Sequence, residues 1–263
     1  MDALLGGGFP KGQITHIYGG TDSGKSSIVL SSIRDLPRDS IGVYIDSEFK
    51  FDPEYALHMG IDLESLVVVQ TANAGEILSL VTSLGDTVRL LAVDSSTSIC
   101  DGNARVDETS YKINRTICND FLPHGGTVLL ISQTRLRPGV GMVPTGGAPS
   151  MFYPAMRVCV ERGRVLSIAG TPCGRTSTLV LEKNRLGRLG RTDVDIYFAR
   201  GFRKDVEILE AAVLLNIIQK SGVWYKYGEV ILGSDKRVAT ERLSELPVWD
   251  AVRDSVLRFY NLL

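Results

Sequence analysis

The chain has 263 residues, enough to bury one large core or two smaller ones. Its 29 basic and 30 acidic residues give a formal net charge of −1, so any nucleic-acid site has to be local rather than a globally basic surface. The 4 cysteines are widely spaced, which is typical of reduced thiols in a cytosolic-type compartment. Neither a signal peptide nor an apolar run of about 18 residues is visible, so we expect a soluble intracellular protein without a membrane span.

Short apolar, β-branched runs alternate with helical patterns through the first half of the chain. Continuous apolar strands separated by helices are typical of a parallel sheet that is covered on both faces, so this half predicts an α/β fold. The predicted strands are 13–18, 41–45, 66–69, 90–93 and 127–131, and the predicted helices are 25–34, 53–59, 74–84 and 107–121.

The second half of the chain has a different order of predicted elements. Its strand-like segments 157–168, 177–183 and 193–198 are separated by turn residues, which predicts antiparallel additions to one sheet edge. A helix follows from about 206 to 220 and should end at Ser221-Gly222. A hairpin at 224–233 and two polar helices close the chain. No linker is visible, so we predict a single domain over 1–263, with 221–263 as a small hairpin-plus-helix extension.

A glycine-rich loop lies between the first predicted strand and the first predicted helix. It reads G-G-T-D-S-G-K-S and matches G-x-x-x-x-G-K-[ST]. Glycines let backbone N–H groups approach phosphate oxygens, and the following helix offers its N-terminus to the same anion. We therefore predict that Lys25 reaches the β/γ-phosphates and that the Ser26 hydroxyl binds Mg²⁺. A glycine-rich turn that carries Lys-Ser by chance is the alternative. The predicted nucleotide contacts are Gly19, Gly20, Thr21, Asp22, Ser23, Gly24, Lys25, Ser26 and Ser27.

Acidic residues follow two other predicted strands. Asp94 comes directly after an apolar run, which favours it as the carboxylate partner of Mg²⁺, with a helix or turn cap as the alternative. Asp46 and Glu48 lie at the end of another strand. Glu48 lies furthest past the strand end, so it is the better candidate for the general base that activates water. Asp46 suits a structural role, and a solvated loop carboxylate remains the alternative for Glu48.

Residues 44–56, Y-I-D-S-E-F-K-F-D-P-E-Y-A, resemble a segment of bacterial RecA recombinases that reads F-I-D-A-E-x-x-x-D-P-x-Y-A. This resemblance implies that Glu48 activates water. It also implies that Asp52 and Tyr55 hold the adenine by a hydrogen bond and by ring stacking. From the residues alone, the core aromatic of an amphipathic helix is the preferred interpretation of Tyr55.

Further segments extend the resemblance over nearly the whole chain. Residues 6–18 are similar to the family's lead-in to the phosphate loop, and 221–227, S-G-V-W-Y-K-Y, are similar to its A-G-A-W-Y-S-Y. Residues 130–135 resemble the strand that ends in N-Q-I-R, which implies that Gln133 senses the γ-phosphate and connects it to a DNA-binding loop. The stretch K-N-R resembles a K-N-K stretch, which implies that Lys183 and Arg185 reach the ATP of a neighbouring subunit in a filament.

A long glycine-rich loop, residues 134–147, follows Gln133. Arginines that clamp phosphates, backbone amides and apolar side chains that wedge between bases would suit single-stranded DNA, whereas a mobile surface loop is the alternative. A second DNA-binding candidate, 101–105, is shorter and less basic. The predicted DNA contacts in the long loop are Arg135, Arg137, Gly139, Val140, Gly141, Met142, Gly146 and Gly147.

The resemblance implies a P-loop NTPase fold of RecA type, with a mostly parallel central sheet flanked by helices, antiparallel strands and a small helical end. Its cofactors would be ATP and Mg²⁺. Its partners would be single-stranded DNA, duplex DNA during pairing, and further copies in a filament or ring, without a membrane. The expected function is DNA-dependent ATP hydrolysis that drives strand pairing in recombination and repair, in the cytoplasm of a bacterium or phage-infected host.

The chain also departs from the resemblance. It begins close to the phosphate-loop lead-in, and we expect the N-terminal docking segment and the C-terminal domain that gathers duplex DNA to be missing or much reduced. A recombination mediator that binds ATP and partners with little turnover is therefore the main alternative. A ring-forming helicase or clock-like ATPase is a third, against which the match at 221–227 weighs.

Overall fold

The computed structural model describes residues 1–102, 104–139, 141–168 and 170–260. The chain packs as two compact units, one formed by Met1 and Ala3–Phe202 and the other by Asp2 and the residues from Arg203 onward. A short helix, α1 (Asp2–Leu5), precedes the first strand. None of the helices in the described ranges combines the length and apolar character needed to cross a bilayer. The four cysteines are free thiols.

The larger unit alternates strands and helices in its first half. Its helices are α2 (Lys25–Arg34), α3 (Pro53–His58), α4 (Ala74–Ser83), α5 (Val106–Thr116), which continues into a π-helical turn at Ile117–Phe121, and α6 (Pro149–Phe152). Its strands are β1 (Ile14–Gly19), β2 (Ile41–Asp46), β3 (Leu66–Val69), β4 (Val88–Asp94), β5 (Thr127–Arg137), β6 (Gly141–Pro144), β7 (Met156–Ile168), β8 (Thr171–Asn184), β9 (Gly190–Tyr197) and β10 (Gly201–Phe202).

These strands form one sheet in the order β10-β9-β8-β7-β1-β5-β4-β2-β3, with β6 paired to β5. Strands β3, β2, β4, β5, β1 and β7 run parallel, and β8, β9 and β10 extend the sheet with antiparallel pairing. The predicted α/β fold with a mostly parallel sheet and antiparallel additions is confirmed. Because parallel strands end at the same sheet edge, the loops after β1, β2, β4 and β5 come together there.

Hydrophobic clusters cover both faces of this sheet. Successive residues of β5 alternate between them: Leu129 and Ile131 belong to one cluster, and Val128 and Leu130 to the other. All four are buried. A strand with both faces covered must be apolar at every position, which explains the continuous apolar runs that predicted these strands.

The predicted irregular loop at 134–147 is instead largely a β-hairpin. Strand β5 continues past the core to Arg137 and pairs with β6, with Arg135 opposite Val143 and Leu136 opposite Met142. The prediction of a loop was wrong because glycines and Pro138 are typical of loops, whereas the alternating Thr-Arg-Leu-Arg pattern before them forms a strand. Gly139 and Gly141 adopt φ of 75° and 98°, left-handed values that glycine reaches without strain and that suit the turn.

The smaller unit contains α7 (Lys204–Leu214), β11 (Gln219–Ser221), β12 (Trp224–Tyr227), β13 (Val230–Gly233), α8 (Lys236–Glu245) and α9 (Trp249–Phe259). The three strands form their own antiparallel sheet, so the 224–233 hairpin is confirmed. The helix predicted to reach residue 220 ends at Leu214, and that prediction was wrong. Asn216 adopts φ 57°, which ends the helix, and Gln219 begins a strand.

The boundary of the smaller unit differs from the predicted extension, which began at residue 221. Leu209 and Ala212 of α7 are fully buried in the same cluster as Leu243 and Val252 of α8 and α9. Helix α7 therefore packs with the C-terminal helices. That the whole chain behaves as a single domain stays a prediction.

Phe121 gives a test of the packing behind β5. Its side chain is fully buried, and a Cβ on Gly126 would lie 2.3 Å from the Phe121 Cζ. We expect Phe121→Ala to lower the free energy of unfolding by about 3–5 kcal/mol, measured by urea denaturation, because the ring leaves a cavity. The matched control is Phe198→Ala, whose side chain is 54% exposed. Equal, small effects from both variants would contradict the described packing.

Candidate functional site

The glycine-rich loop joins the end of β1 to the start of α2 at Lys25. Gly24 adopts φ 95°, and a Cβ there would lie 2.1 Å from the Cδ1 of Ile196. A Cβ on Gly19 would lie 2.2 Å from the carbonyl oxygen of Val160. Gly19 is therefore required by packing against the β7 backbone, whereas Gly24 is favoured by its left-handed φ and by the Ile196 side chain of β9.

Lys25 is a largely buried cation in this loop. The residue as a whole is 9% exposed, and its Nζ donates a hydrogen bond of 2.7 Å to the carbonyl of Gly20. Burial lowers the pKa of Lys25, while the carboxylates of Asp94, Glu48 and Asp22 oppose that change. A cation held by its own loop at the helix N-terminus is well placed for an anionic ligand.

Two oxygen groups meet beside Lys25. The Ser26 hydroxyl donates to the Asp94 Oδ2 at 2.5 Å, and the Tyr44 hydroxyl donates to the same oxygen at 2.7 Å. Burial, together with the Asp94 charge, raises the pKa of Tyr44, so this phenol remains a neutral donor. In the described part of the chain, no group of three or more His, Cys, Asp or Glu side chains could hold a metal. A hydroxyl and one carboxylate fit Mg²⁺, which usually takes few protein ligands and keeps water and substrate phosphate oxygens.

Both oxygens of Glu48 are engaged. Its Oε1 accepts from the Gln133 side-chain amide at 3.1 Å and from the Ser98 hydroxyl at 3.3 Å. Its Oε2 accepts from the Lys50 Nζ at 2.5 Å. Burial works against the charged form, but the hydrogen bonds from Lys50, Ser95 and Gln133 outweigh it and lower the pKa of Glu48. Glu48 is therefore an ionised carboxylate held between two strand ends.

Asp46 organises the turn that carries Glu48. It is 2% exposed, and its Oδ2 accepts from the Phe51 backbone N–H at 2.8 Å and from the Gln70 side chain at 3.1 Å. Burial opposes ionisation, yet these hydrogen bonds lower the pKa of Asp46. Its contacts match the structural role that the sequence suggested.

Asp52 and Tyr55 lie at the start of α3. The Asp52 Oδ1 accepts from the backbone N–H groups of Glu54 and Tyr55 at 2.9 and 3.1 Å, so Asp52 is the N-cap of this helix. The Tyr55 hydroxyl lies 2.9 Å from the Ser27 Oγ in α2. A helix cap and an adenine contact are compatible, because Asp52 and Tyr55 both line the same cavity.

These side chains surround a single cavity of about 230 Å³. The register of the sheet explains why they converge: Gly19 pairs with Gln133 across β1 and β5, and Asp46 pairs with Asp94 across β2 and β4. Three further side chains that contact Asp94 or Glu48 were not predicted from the sequence: Tyr44, Lys50 and Ser98. Lys50 had a signal, since it lies two residues after Glu48. The lining residues are Thr21, Asp22, Lys25, Ser26, Leu30, Tyr44, Asp46, Glu48, Lys50, Phe51, Asp52, Tyr55, Asp94, Ser95, Ile131 and Gln133.

Gln133 joins this cavity to the β5–β6 hairpin. Its carbonyl accepts from the Thr145 backbone and hydroxyl at 2.9 and 2.7 Å, while its side chain donates to Glu48. A second cavity of about 440 Å³ lies on the hairpin side of Gln133 and is also lined by Arg135, Gly146 and Gly147. The two cavities therefore share one residue.

The predicted DNA-binding residues lie on this exposed hairpin. Side chains alternate along a strand, so Arg135 and Arg137 project from one face, and Leu136 with its partner Met142 projects from the other. Leu136 and Met142 are 72% and 60% exposed. Val140 lies outside the described residues, as does Asn103 of the second candidate loop. The glycines of the hairpin region, Gly139, Gly141, Gly146 and Gly147, all adopt left-handed φ.

Lys183 and Arg185 lie at the end of β8 and just after it, and neither is among the described residues that line the nucleotide cavity. The Lys183 Nζ donates to the carbonyls of Met151 and Phe152 at 3.0 and 3.2 Å. Burial and the nearby charges of Arg185 and Arg157 lower the pKa of Lys183. Action on a neighbour's nucleotide stays a prediction.

A glycine-rich loop at the end of a central parallel strand, a buried lysine at the start of the next helix, and a Ser–Asp oxygen pair define a P-loop nucleotide-binding protein. Comparison with known proteins narrows this class. The family model of the RecA N-terminal domain matches residues 1–203, and that of the RecA C-terminal domain matches residues 206–256. The chain belongs to the RecA family.

Several relatives support the same assignment. Protein RecA of Nautilia profundicola is 32% identical over 270 residues, which cover 94% of this chain and 77% of that protein. Protein RecA of Malacoplasma penetrans is 31% identical, with 93% of this chain and 80% of that protein covered. Protein RecA of Thermus thermophilus is 29% identical, with 98% and 82% covered.

The match at 206–256 also corrects one expectation. We expected the family's C-terminal domain to be missing or much reduced, but these residues match the model of that domain and form the compact smaller unit. The expectation was wrong because the unit is small and its hairpin and polar helices looked like an extension of the core.

Gly24 gives a direct test of the loop. Gly24→Ala places a side chain at left-handed φ, at a cost of about 1–3 kcal/mol, and against Ile196. We expect nucleotide affinity to fall by about tenfold or more, measured by titration with a fluorescent ATP analogue. Gly85→Ala is the control, because a Cβ at Gly85 meets nothing within 4 Å. Unchanged affinity in a folded Gly24→Ala variant would show that the loop does not hold the nucleotide.

Proposed function

We propose that this RecA-family chain is a DNA-dependent ATPase that binds single-stranded DNA as an ATP-dependent oligomer and promotes strand pairing in recombination and repair. The observation that carries the proposal is the hydrogen bond of 3.1 Å from Gln133 to Glu48. Through it, the candidate base of the nucleotide cavity contacts the residue that directly precedes the exposed hairpin. An ATPase that responds to DNA needs such a connection between its two sites.

The nucleotide part rests on Lys25, Ser26 and Asp94. The loop amides and Lys25 would bind the β- and γ-phosphates, with the adenine toward Asp52 and Tyr55 on the same cavity wall. Ser26 and Asp94 would hold Mg²⁺, since they already present two oxygens in contact. When bound, Mg²⁺ would neutralise the charge that develops on the phosphate oxygens.

Glu48 is the candidate general base. It would accept a proton from the water whose oxygen attacks the γ-phosphorus as the bond to the ADP oxygen breaks. An ionised carboxylate is required for this, and its lowered pKa supports that state at neutral pH. Gln133 would orient Glu48 and report the state of the γ-phosphate to the hairpin.

The hairpin is the candidate DNA contact. Exposed Arg135 and Arg137 share one face and would bind phosphates, whereas exposed Leu136 and Met142 share the other and would contact unstacked bases. Duplex DNA would be engaged during pairing. This division of charge and apolar surface supports the role better than an unstructured loop would.

Self-association completes the proposal. Lys183 and Arg185 would reach the nucleotide of the adjacent copy, since a pair of cations near a subunit surface can stabilise phosphate charge in trans. Phe152, whose carbonyl holds Lys183, has a side chain 71% exposed. An exposed aromatic beside these cations suits a contact between copies.

Glu48→Gln tests the chemistry. The amide keeps the shape of the side chain but cannot take a proton, so we expect DNA-stimulated hydrolysis to fall by about 10²- to 10⁴-fold while ATP binding is kept. The measurement is phosphate release with and without single-stranded DNA, beside an ATP-binding titration. Wild-type turnover that is equally negligible in both conditions, with ATP still bound, would instead favour the mediator alternative.

The hairpin arginines are tested by salt dependence. If each binds a phosphate, Arg135→Ala with Arg137→Ala should reduce the slope of log affinity against log salt by about 0.7 per lost contact on single-stranded DNA. Fluorescence anisotropy of a labelled oligonucleotide, with ATP present, gives this slope. Arg89→Ala is the control, because exposed Arg89 lies near the start of β4, at the opposite sheet edge. An unchanged slope in the double variant would place the DNA elsewhere.

A further inference from the structure

Lys50 is a second cation in the nucleotide cavity. Its Nζ lies 2.5 Å from the Glu48 Oε2, and its side chain is 73% exposed against 15% for Glu48. It is among the residues that line the cavity, and its charge adds a small effect to burial, which is the main cause of the lowered pKa of Lys25. The phosphate loop, the Mg²⁺ ligands and the hairpin do not explain this contact.

The turn between β2 and α3 places Lys50 over Glu48. Phe49, between them, adopts φ 57°, a left-handed value that is uncommon outside glycine. The Phe51 N–H then bonds to the buried Asp46 carboxylate at 2.8 Å and closes the turn. Because the backbone on both sides of Lys50 is held, its side chain returns to the carboxylate two residues earlier. The contact is therefore a product of the folded turn.

The contact matters because of what a general base needs. A carboxylate has about four lone-pair positions, and those of Glu48 Oε1 are already taken by Gln133 and Ser98. Oε2 is the oxygen left for a water molecule, and Lys50 takes one of its two acceptor positions. An ammonium bound to a carboxylate also makes that carboxylate a weaker base.

We propose that Lys50 is a positioning residue that restrains ATP hydrolysis by competing with the attacking water for the Oε2 of Glu48. The inference rests on the proposed role of Glu48 as the general base. Lys50 makes no contact with the substrate in this role and acts only through Glu48. An exposed ammonium exchanges readily between its partner and solvent, so the restraint slows turnover without abolishing it.

The test compares Lys50→Met with Lys50→Arg. Methionine keeps the length of the side chain but removes the charge, whereas arginine keeps the charge. At pH 8, without DNA and with saturating ATP, we expect Lys50→Met to raise kcat by about two- to fivefold, the range of an exposed ion pair, with KM unchanged. Lys50→Arg should stay near the wild-type rate. The control is Lys226→Met, an exposed lysine on β12 in the smaller unit.

The pH profile separates this role from a merely structural one. The ion pair lowers the pKa of Glu48, so its loss should move the acid limb of the kcat/KM profile to higher pH by about half a unit. Lys50→Met would thus be slower than wild type on the acid side and faster on the alkaline side. A structural defect would scale the whole profile by one factor.

Three results would overturn the inference. Unchanged kcat and acid limb in Lys50→Met would show that the ion pair does not restrain the base. A lower kcat in Lys50→Met, together with a wild-type kcat in Lys50→Arg, would show that Lys50 assists the reaction. Wild-type turnover in Glu48→Gln would remove the general base and this inference with it, whereas an inactive Glu48→Gln beside an unaffected Lys50→Met rejects the inference alone.

Discussion

The parallel pairing of β1 with β5 and of β2 with β4 is the constraint on which the site depends. In this register Gly19 lies opposite Gln133, and Asp46 lies opposite Asp94. A shift of one residue in either pair would exchange the side chains between the two covered faces, so the packing of the two apolar clusters holds the register. The same packing energy that stabilises the fold thereby positions the glycine-rich loop, the candidate magnesium ligands and the candidate base.

Polar contacts then refine what the register brings together. Asp46 is buried at a strand end, yet its contacts are with the backbone and a neutral amide of neighbouring loops. Asp94 instead gathers the hydroxyls of Ser26 and Tyr44. Two carboxylates at paired positions therefore divide their tasks: one holds the turn, and the other presents oxygen toward the cavity. Their different neighbours explain the division better than their position along the chain does.

Much of this arrangement was predictable from the sequence. Strands covered on both faces are apolar throughout, and the phosphate loop has a local pattern, so β1 to β5, Lys25 and Asp94 could all be predicted. The hairpin after Gln133 and the end of α7 could not, because glycines at 139 and 141 and the left-handed Asn216 have effects that depend on pairing across space. Tyr44 was missed for the same reason, and the closeness of Lys50 to Glu48 in the sequence did not by itself predict their contact. Their contacts with Glu48 and Asp94 depend on a turn and a strand pairing that no local pattern encodes.

Strand β5 has 11 residues, of which the first six are buried and the rest project from the body of the unit. One continuous strand thus belongs to the hydrophobic core at one end and forms an exposed arm, residues 133–137, at the other. From Gln133 to Arg137 the arm is about 13 Å long at the usual rise of a strand. A rotation of about 10° at the sheet edge that carries the cavity would move its arginines by about 2 Å, a distance that separates a hydrogen bond from no contact. A small movement of the sheet at the cavity therefore becomes a larger movement at the tip of the hairpin.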